Sequence, residues 1–91
     1  MRRIRVRVTG LVQGVGYRVT TARAAEAQGV TGWVRNRGDG TVEAELEGDV
    51  DALEAVLARM RRGPAGARVD GLSVDELPPA GDTGFEVRPT A

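Results

Sequence analysis

One short stretch near the N-terminus gathers glycine around a single arginine: Gly10-Leu11-Val12-Gln13-Gly14-Val15-Gly16-Tyr17-Arg18. The segment from Gly10 to Gly16 carries no charge and reads as a loop, and the Ala-rich residues that follow read as a helix. Where a loop opens a helix, several backbone N–H groups lack partners and the helix dipole is positive. Successive amides in a tight turn can then hold an anion. Gly14 and Gly16 let the backbone bend inward without a Cβ in the way. Arg18, in the first helical turn, can return its guanidinium fork to the same anion and bind two oxygens at once. The stretch is not a Walker loop, because no Gly-Lys-Ser/Thr follows, and its glycines do not fit G-x-G-x-x-G. On glycine content alone it fits an anion nest or a plain connector equally.

Composition narrows the chemistry. The chain has no cysteine and no histidine. That removes disulfides, thiolate nucleophiles, Ser-His-Asp triads, and metal sites built on Cys or His. All 13 basic side chains are arginine, so a Schiff-base lysine and a P-loop lysine drop out as well. An anion site here must use arginine, backbone N–H groups, or both. No cofactor and no metal is expected.

Ninety-one residues, 41% hydrophobic and 29% charged, describe one globular domain over residues 1–91. No apolar run reaches bilayer length, and Met1-Arg2-Arg3-Ile4-Arg5 lacks the apolar stretch of a signal peptide. The expectation is a cytoplasmic protein that does not engage a membrane. Net charge is zero, yet residues 1–38 carry eight arginines against Glu26, and residues 39–91 carry five against twelve acids. Such asymmetry marks either a nucleic-acid arm or two halves that pair in the fold.

The elements that must position the loop favour pairing. Ile4, Val6 and Val8 alternate with Arg3, Arg5 and Arg7, the period of a half-buried strand. Tyr17 to Gln28 suits a helix stopped by Gly29, with Ala22, Ala25 and Val19 as its small inner face. Gly32 to Arg37 is a short strand, and Gly38-Asp39-Gly40 offers the positive-φ positions of a tight hairpin. Val42, Ala44 and Leu46 then alternate with Glu43, Glu45 and Glu47. Asp49 is a candidate N-cap for a helix carrying Val50, Leu53, Val56, Leu57 and Met60 at helical spacing, ended by Gly63-Pro64. Val69, Leu72 and Val74 suggest a fourth strand, irregular at Gly71, and Phe85 to Arg88 a short closing one. The order is β-α-β-β-α-β with an addition. It predicts a ferredoxin-like α+β sandwich with two helices on one face of an antiparallel sheet. The first and third strands are then central neighbours, and the three arginines face the three glutamates across them, each pair worth about 0.2–1 kcal/mol.

Two stretches carry a family likeness. Gly10 to Arg18 resembles the acylphosphatase signature, in which G-x-V-Q-G-V leads into an aromatic-Arg pair. Gly32-Trp33-Val34-Arg35-Asn36-Arg37-Gly38-Asp39-Gly40-Thr41-Val42 is similar to the family's second signature, G-W-V-x-N-x-x-D-G-x-V. The similarity continues through Glu47-Gly48-Asp49, Arg61-Arg62-Gly63-Pro64 and Gly84-Phe85-Glu86-Val87. The resemblance implies metal-independent hydrolysis of an acyl phosphate to a carboxylate and inorganic phosphate. It implies that Arg18 and the backbone of Gln13, Gly14, Val15, Gly16 and Tyr17 bind the phosphate, and that Asn36 positions the water. Leu11 and Val19-Thr20-Thr21 depart from the family pattern and bear on substrate preference.

That chemistry suits a chain without histidine. The leaving group of an acyl phosphate is a stable carboxylate, so no general acid is needed, and phosphoryl transfer depends mainly on positioning and charge stabilisation. Asn36 offers an acceptor and a donor, enough to orient water. Gln13 can shape the loop through its side chain or supply its N–H, and the second is expected. Tyr17 and Trp33 are expected to pack, and Arg35 and Arg37 to be strand-surface charges. Two other readings of the fold are a phosphate-binding module without turnover and a sheet that binds RNA. The second needs aromatics on the open face, and one each of Trp, Tyr and Phe leaves too few. The expected partner is a small acyl phosphate, with no nucleic acid. A monomer is expected, because no apolar stripe is left over.

Overall fold

The alternation at the N-terminus sets the centre of the sheet. The fold is that of a computed structural model describing residues 1–91. Strand β1 (Arg2–Leu11) leads to helix α1 (Tyr17–Ala27), strands β2 (Thr31–Asn36) and β3 (Val42–Gly48), helix α2 (Val50–Arg62), and strands β4 (Arg68–Leu77) and β5 (Phe85–Val87). The sheet order is β4-β1-β3-β2-β5. β1 and β3 are antiparallel neighbours at its centre, in the register Arg3↔Glu47, Arg5↔Glu45, Arg7↔Glu43. The four strands β4, β1, β3 and β2 are antiparallel throughout, as expected, and the added β5 runs parallel to β2, which makes the five-stranded sheet mixed.

Period-two alternation sends Ile4, Val6 and Val8 inward with Ala44 and Leu46 of β3, all essentially without solvent contact. Leu53, Val56, Leu57 and Met60 of α2 close over them, the i, i+3, i+4, i+7 stripe of an amphipathic helix. Burying each Val or Leu side chain contributes about 1.5–3 kcal/mol. On the other face the arginines and glutamates interlock. Arg3 reaches Glu45 at 2.9 Å and Glu47 at 3.2 Å, Arg5 reaches Glu45, and Arg7 reaches Glu43. This ladder pairs three arginines of the first half with three glutamates of the second.

Tertiary contacts overrule several local expectations. β1 continues through Gly10 and Leu11, which pair with Val69 and Arg68 after a register shift at Thr9/Gly10 opposite Gly71. A side chain at Gly10 would collide with the Arg68 carbonyl, so glycine there serves a close strand crossing before the loop begins. Val19 points to solvent, and Tyr17 and Thr21 join Ala22 and Ala25 on the inner face of α1. Val50 is half exposed in the first turn of α2. Asp49 occupies the N-cap position without a side-chain cap bond. In the hairpin only Gly40 has positive φ; the Asp39 carboxylate shapes the turn by accepting from the Thr41 N–H at 3.0 Å and hydroxyl at 2.6 Å. The helix-free face is partly covered, since Glu47 accepts the N–H groups of Ala80 and Gly81 and Arg3 pairs with Asp82.

Candidate active site

Strand β1 delivers the chain to a turn at the entry of α1. Gly14 and Gly16 have φ of 75° and 78°, the left-handed region that L side chains avoid. A Cβ at either would meet nothing within 4 Å. Their glycines therefore answer to backbone conformation, not to a lack of room. Gly16 is the N-cap residue of α1, with no side-chain cap and no acid in the first turn. From Gln13 through Val19 no backbone N–H donates to another part of the protein; the first bond of the helix is from Thr20 N–H to Gly16 O at 3.0 Å. A run of free amides at a positive helix end can hold an anion.

A cavity of about 90 Å3 opens against this turn, lined by Val12, Gly14, Gly16, Tyr17, Arg18, Val19 and Asn36. With about 30 Å3 as a water's share of the liquid, it is the size of a phosphoryl group or a few waters. Arg18 and Asn36 thus meet across two elements that the sequence separates. Arg18 has no carboxylate partner, and its Nη1 donates to the Arg88 carbonyl at a long 3.4 Å. Asn36, the last residue of β2, is 9% exposed, and its Oδ1 is buried without a hydrogen-bond donor. Its backbone carbonyl accepts from Ala91 N–H at 2.9 Å, and the Val34 carbonyl from Arg88 N–H at 2.8 Å. The segment beyond β5 therefore runs on beside β2 to the edge of the site.

The other residues singled out from the sequence have separate places. Tyr17 packs in the core with its hydroxyl on the Met60 carbonyl at 2.7 Å. Burial pushes its phenol far above the ordinary value, against the opposing charge of Arg59. Trp33 is buried on the helix-free face, with the guanidinium groups of Arg35 and Arg88 4.7 and 4.8 Å from its ring centre. Arg35 and Arg37 both bind Glu43. Burial alone would raise the Glu43 carboxyl; its hydrogen bond to Arg35 and the charges of Arg35 and Arg37 overcome that and hold it below the usual value.

Gln13 departs from expectation. Its Nε2 donates to the Arg37 carbonyl at 2.8 Å and the Thr41 carbonyl at 2.9 Å, tying the cradle loop to the β2–β3 hairpin. Sequence reasoning raised a side-chain role for Gln13 without favouring it, and missed the Arg88 carbonyl beside Arg18. A glutamine in a loop has no patterned signal, and a carbonyl acceptor leaves none in the residue types.

Comparison with known proteins shows the family and the fold. The family model for acylphosphatase matches residues 4–87. The chain is 52% identical over 82 residues to the acylphosphatase of Methylococcus capsulatus, covering 90% of this chain and 89% of that one. It is 47% identical over 90 residues to the acylphosphatase of Rhodospirillum rubrum, covering 99% of each. The crystal structure of acylphosphatase from Bacillus subtilis superimposes with a TM-score of 0.93 at 35% identity, covering 97% of this chain and 99% of that one. Matched nearly end to end in both sequence and backbone, the chain belongs to the acylphosphatase family and hydrolyses acyl phosphates.

Proposed function

We propose that the cavity beside Gly14 and Gly16 is where that hydrolysis takes place, with Arg18 and the Gln13–Tyr17 amides binding the phosphoryl group and Asn36 orienting the water. The observation that carries this reading is the buried, unpartnered Oδ1 of Asn36, a residue that lines the same small cavity as Arg18. A buried acceptor without a donor costs about 1–3 kcal/mol, and a water held there as donor removes the cost. The free amides and the guanidinium spread positive charge over the phosphoryl oxygens as the carboxylate leaves. Asn36 supplies orientation without a strong base. The proton of the water passes to a phosphoryl oxygen of the substrate, since no carboxylate lines the cavity.

Hydrolysis of benzoyl phosphate in the presence of a chelator tests the assignment. Arg18→Lys should lose most activity, because an ammonium cannot reproduce the two-point fork. Asn36→Ala should abolish turnover while inorganic phosphate still binds, by calorimetry, as tightly as it binds the parent. Parental turnover by Asn36→Ala removes the water-orienting role, and phosphate binding without hydrolysis by the parent protein turns the site into a sensor.

The chain is read as one catalytic unit over residues 1–91, acting as a monomer in the cytoplasm. The large exposed apolar residues, Leu11, Val19, Val50, Val74 and Val87 among them, belong to β1, α1, α2, β4 and β5 respectively, one to each element. Sedimentation should return the mass of one chain, 9.6 kDa, and fractionation of source cells checks the compartment.

A further inference from the structure

We infer that the Gln13 carboxamide is a positioning residue, which sets the distance between the phosphate cradle and Asn36. The inference rests on the roles proposed for the cradle and for Asn36. Gln13 belongs to the cradle loop by its backbone, yet its side chain leaves that loop and spans the closing pair of the neighbouring hairpin. Both Nε2 hydrogens are used there, one on the Arg37 carbonyl at 2.8 Å and one on the Thr41 carbonyl at 2.9 Å. Arg37 directly follows Asn36.

The hairpin does not need these bonds to close. The Thr41 carbonyl also accepts the Arg37 N–H at 2.8 Å, and the Arg37 carbonyl also accepts the Gly40 N–H at 3.1 Å. Each acceptor keeps a partner if Gln13 is lost, so the two bonds add a cross-link and not a turn. Among the side-chain hydrogen bonds of the loop Val12–Gly16, these are the ones that reach the strand pair carrying Asn36. In-line attack requires the reacting atoms to be held close, and a misplacement of about 1 Å costs about 100-fold in rate. One carboxamide with two fixed acceptors is suited to hold that spacing.

The test separates positioning from simple support of the fold. Gln13→Met keeps the length and apolar stem and removes both donors; Gln13→Asn keeps the amide one methylene too short to span the pair. For both, kcat for benzoyl phosphate should fall about 10- to 100-fold, with the inhibition constant of inorganic phosphate unchanged. The NMR signal of the Asn36 side-chain amide should shift while the Gly14 and Gly16 amides still respond to phosphate. Parental kcat in both variants, an unmoved Asn36 signal, or parallel loss of kcat and phosphate affinity overturns the inference. If Gln13→Met fails to fold, Gln13→Asn gives the same readouts. The underlying assignment fails separately: Asn36→Ala turning over at the parental rate removes it, whereas an inactive Asn36→Ala beside a fully active Gln13→Met removes only the role of Gln13.

Discussion

Gly16 links backbone conformation to the proposed anion cradle. Its φ of 78° turns the chain from the loop into α1 and leaves the following amides free. There is space for a methyl group, so Gly16→Ala isolates the conformational cost, about 1–2 kcal/mol for a left-handed L residue. Chemical denaturation should show a loss of that size, and KM for benzoyl phosphate should rise together with the phosphate inhibition constant. A loss of stability with unchanged KM would mean that the loop relaxes without disturbing the cradle. Asn36 has the opposite character: its conformation is ordinary strand, and its interest lies in a buried oxygen that has no donor.

At the scale of elements, the central strand pair carries the charge ladder. Glu47 is held below its ordinary value of 4.5, chiefly by the Ala80 N–H, against burial and with help from the Gly81 N–H and Arg3. Glu43 is held below 4.5 by Arg35, Arg37 and Arg7 despite the opposing effect of burial. A carboxyl whose folded value is depressed contributes stability that is full above its unfolded value and is lost as pH falls through the folded one. Thermal stability should therefore stay level from pH 7 to about pH 5 and decline below about pH 4.5. Glu47→Gln should be less stable at neutral pH and should decline less steeply in acid, as read by calorimetry. Equal acid slopes for the two proteins would show that Glu47 is not among the groups that titrate on unfolding.

Over the whole molecule, charge is distributed unevenly. The arginines of the sheet and of the residues beyond it all have carboxylate partners within 4.0 Å; Arg18, Arg23, Arg59, Arg61 and Arg62, all on the helices, have none. The start of α1 lies against the end of α2, where Tyr17 binds the Met60 carbonyl and Gly63 sits beside its ring. Arg59, Arg61 and Arg62 in the last turn of α2 therefore share the cradle's end of the molecule. A positive field at the mouth of a small site draws an anionic substrate and is screened by salt. The kcat/KM for benzoyl phosphate should fall with ionic strength while kcat holds, and Arg61→Glu with Arg62→Glu should flatten that dependence. A salt-independent kcat/KM would leave substrate capture to the cradle alone.

Local chemistry alone determined much of this protein. Alternation placed β1 and β3 and predicted their arginine–glutamate register, helical spacing placed the core stripe of α2, and the glycines before Arg18 marked a tight turn at a helix entry. Such features are legible because periodicity and backbone freedom are properties of neighbouring residues. Asn36 was legible as a candidate site residue only through its resemblance to a family motif, since an asparagine beside a hairpin is otherwise a turn residue. Tertiary structure decided what depends on distant residues meeting. It carried β1 through Gly10 to β4, set β5 parallel to β2, and turned Val19 outward while Thr21 went in. It also brought Asn36 into the cavity of Arg18 and sent the Gln13 side chain across to the hairpin. No local pattern encodes these, because each depends on a donor, an acceptor or a packing neighbour supplied by another element.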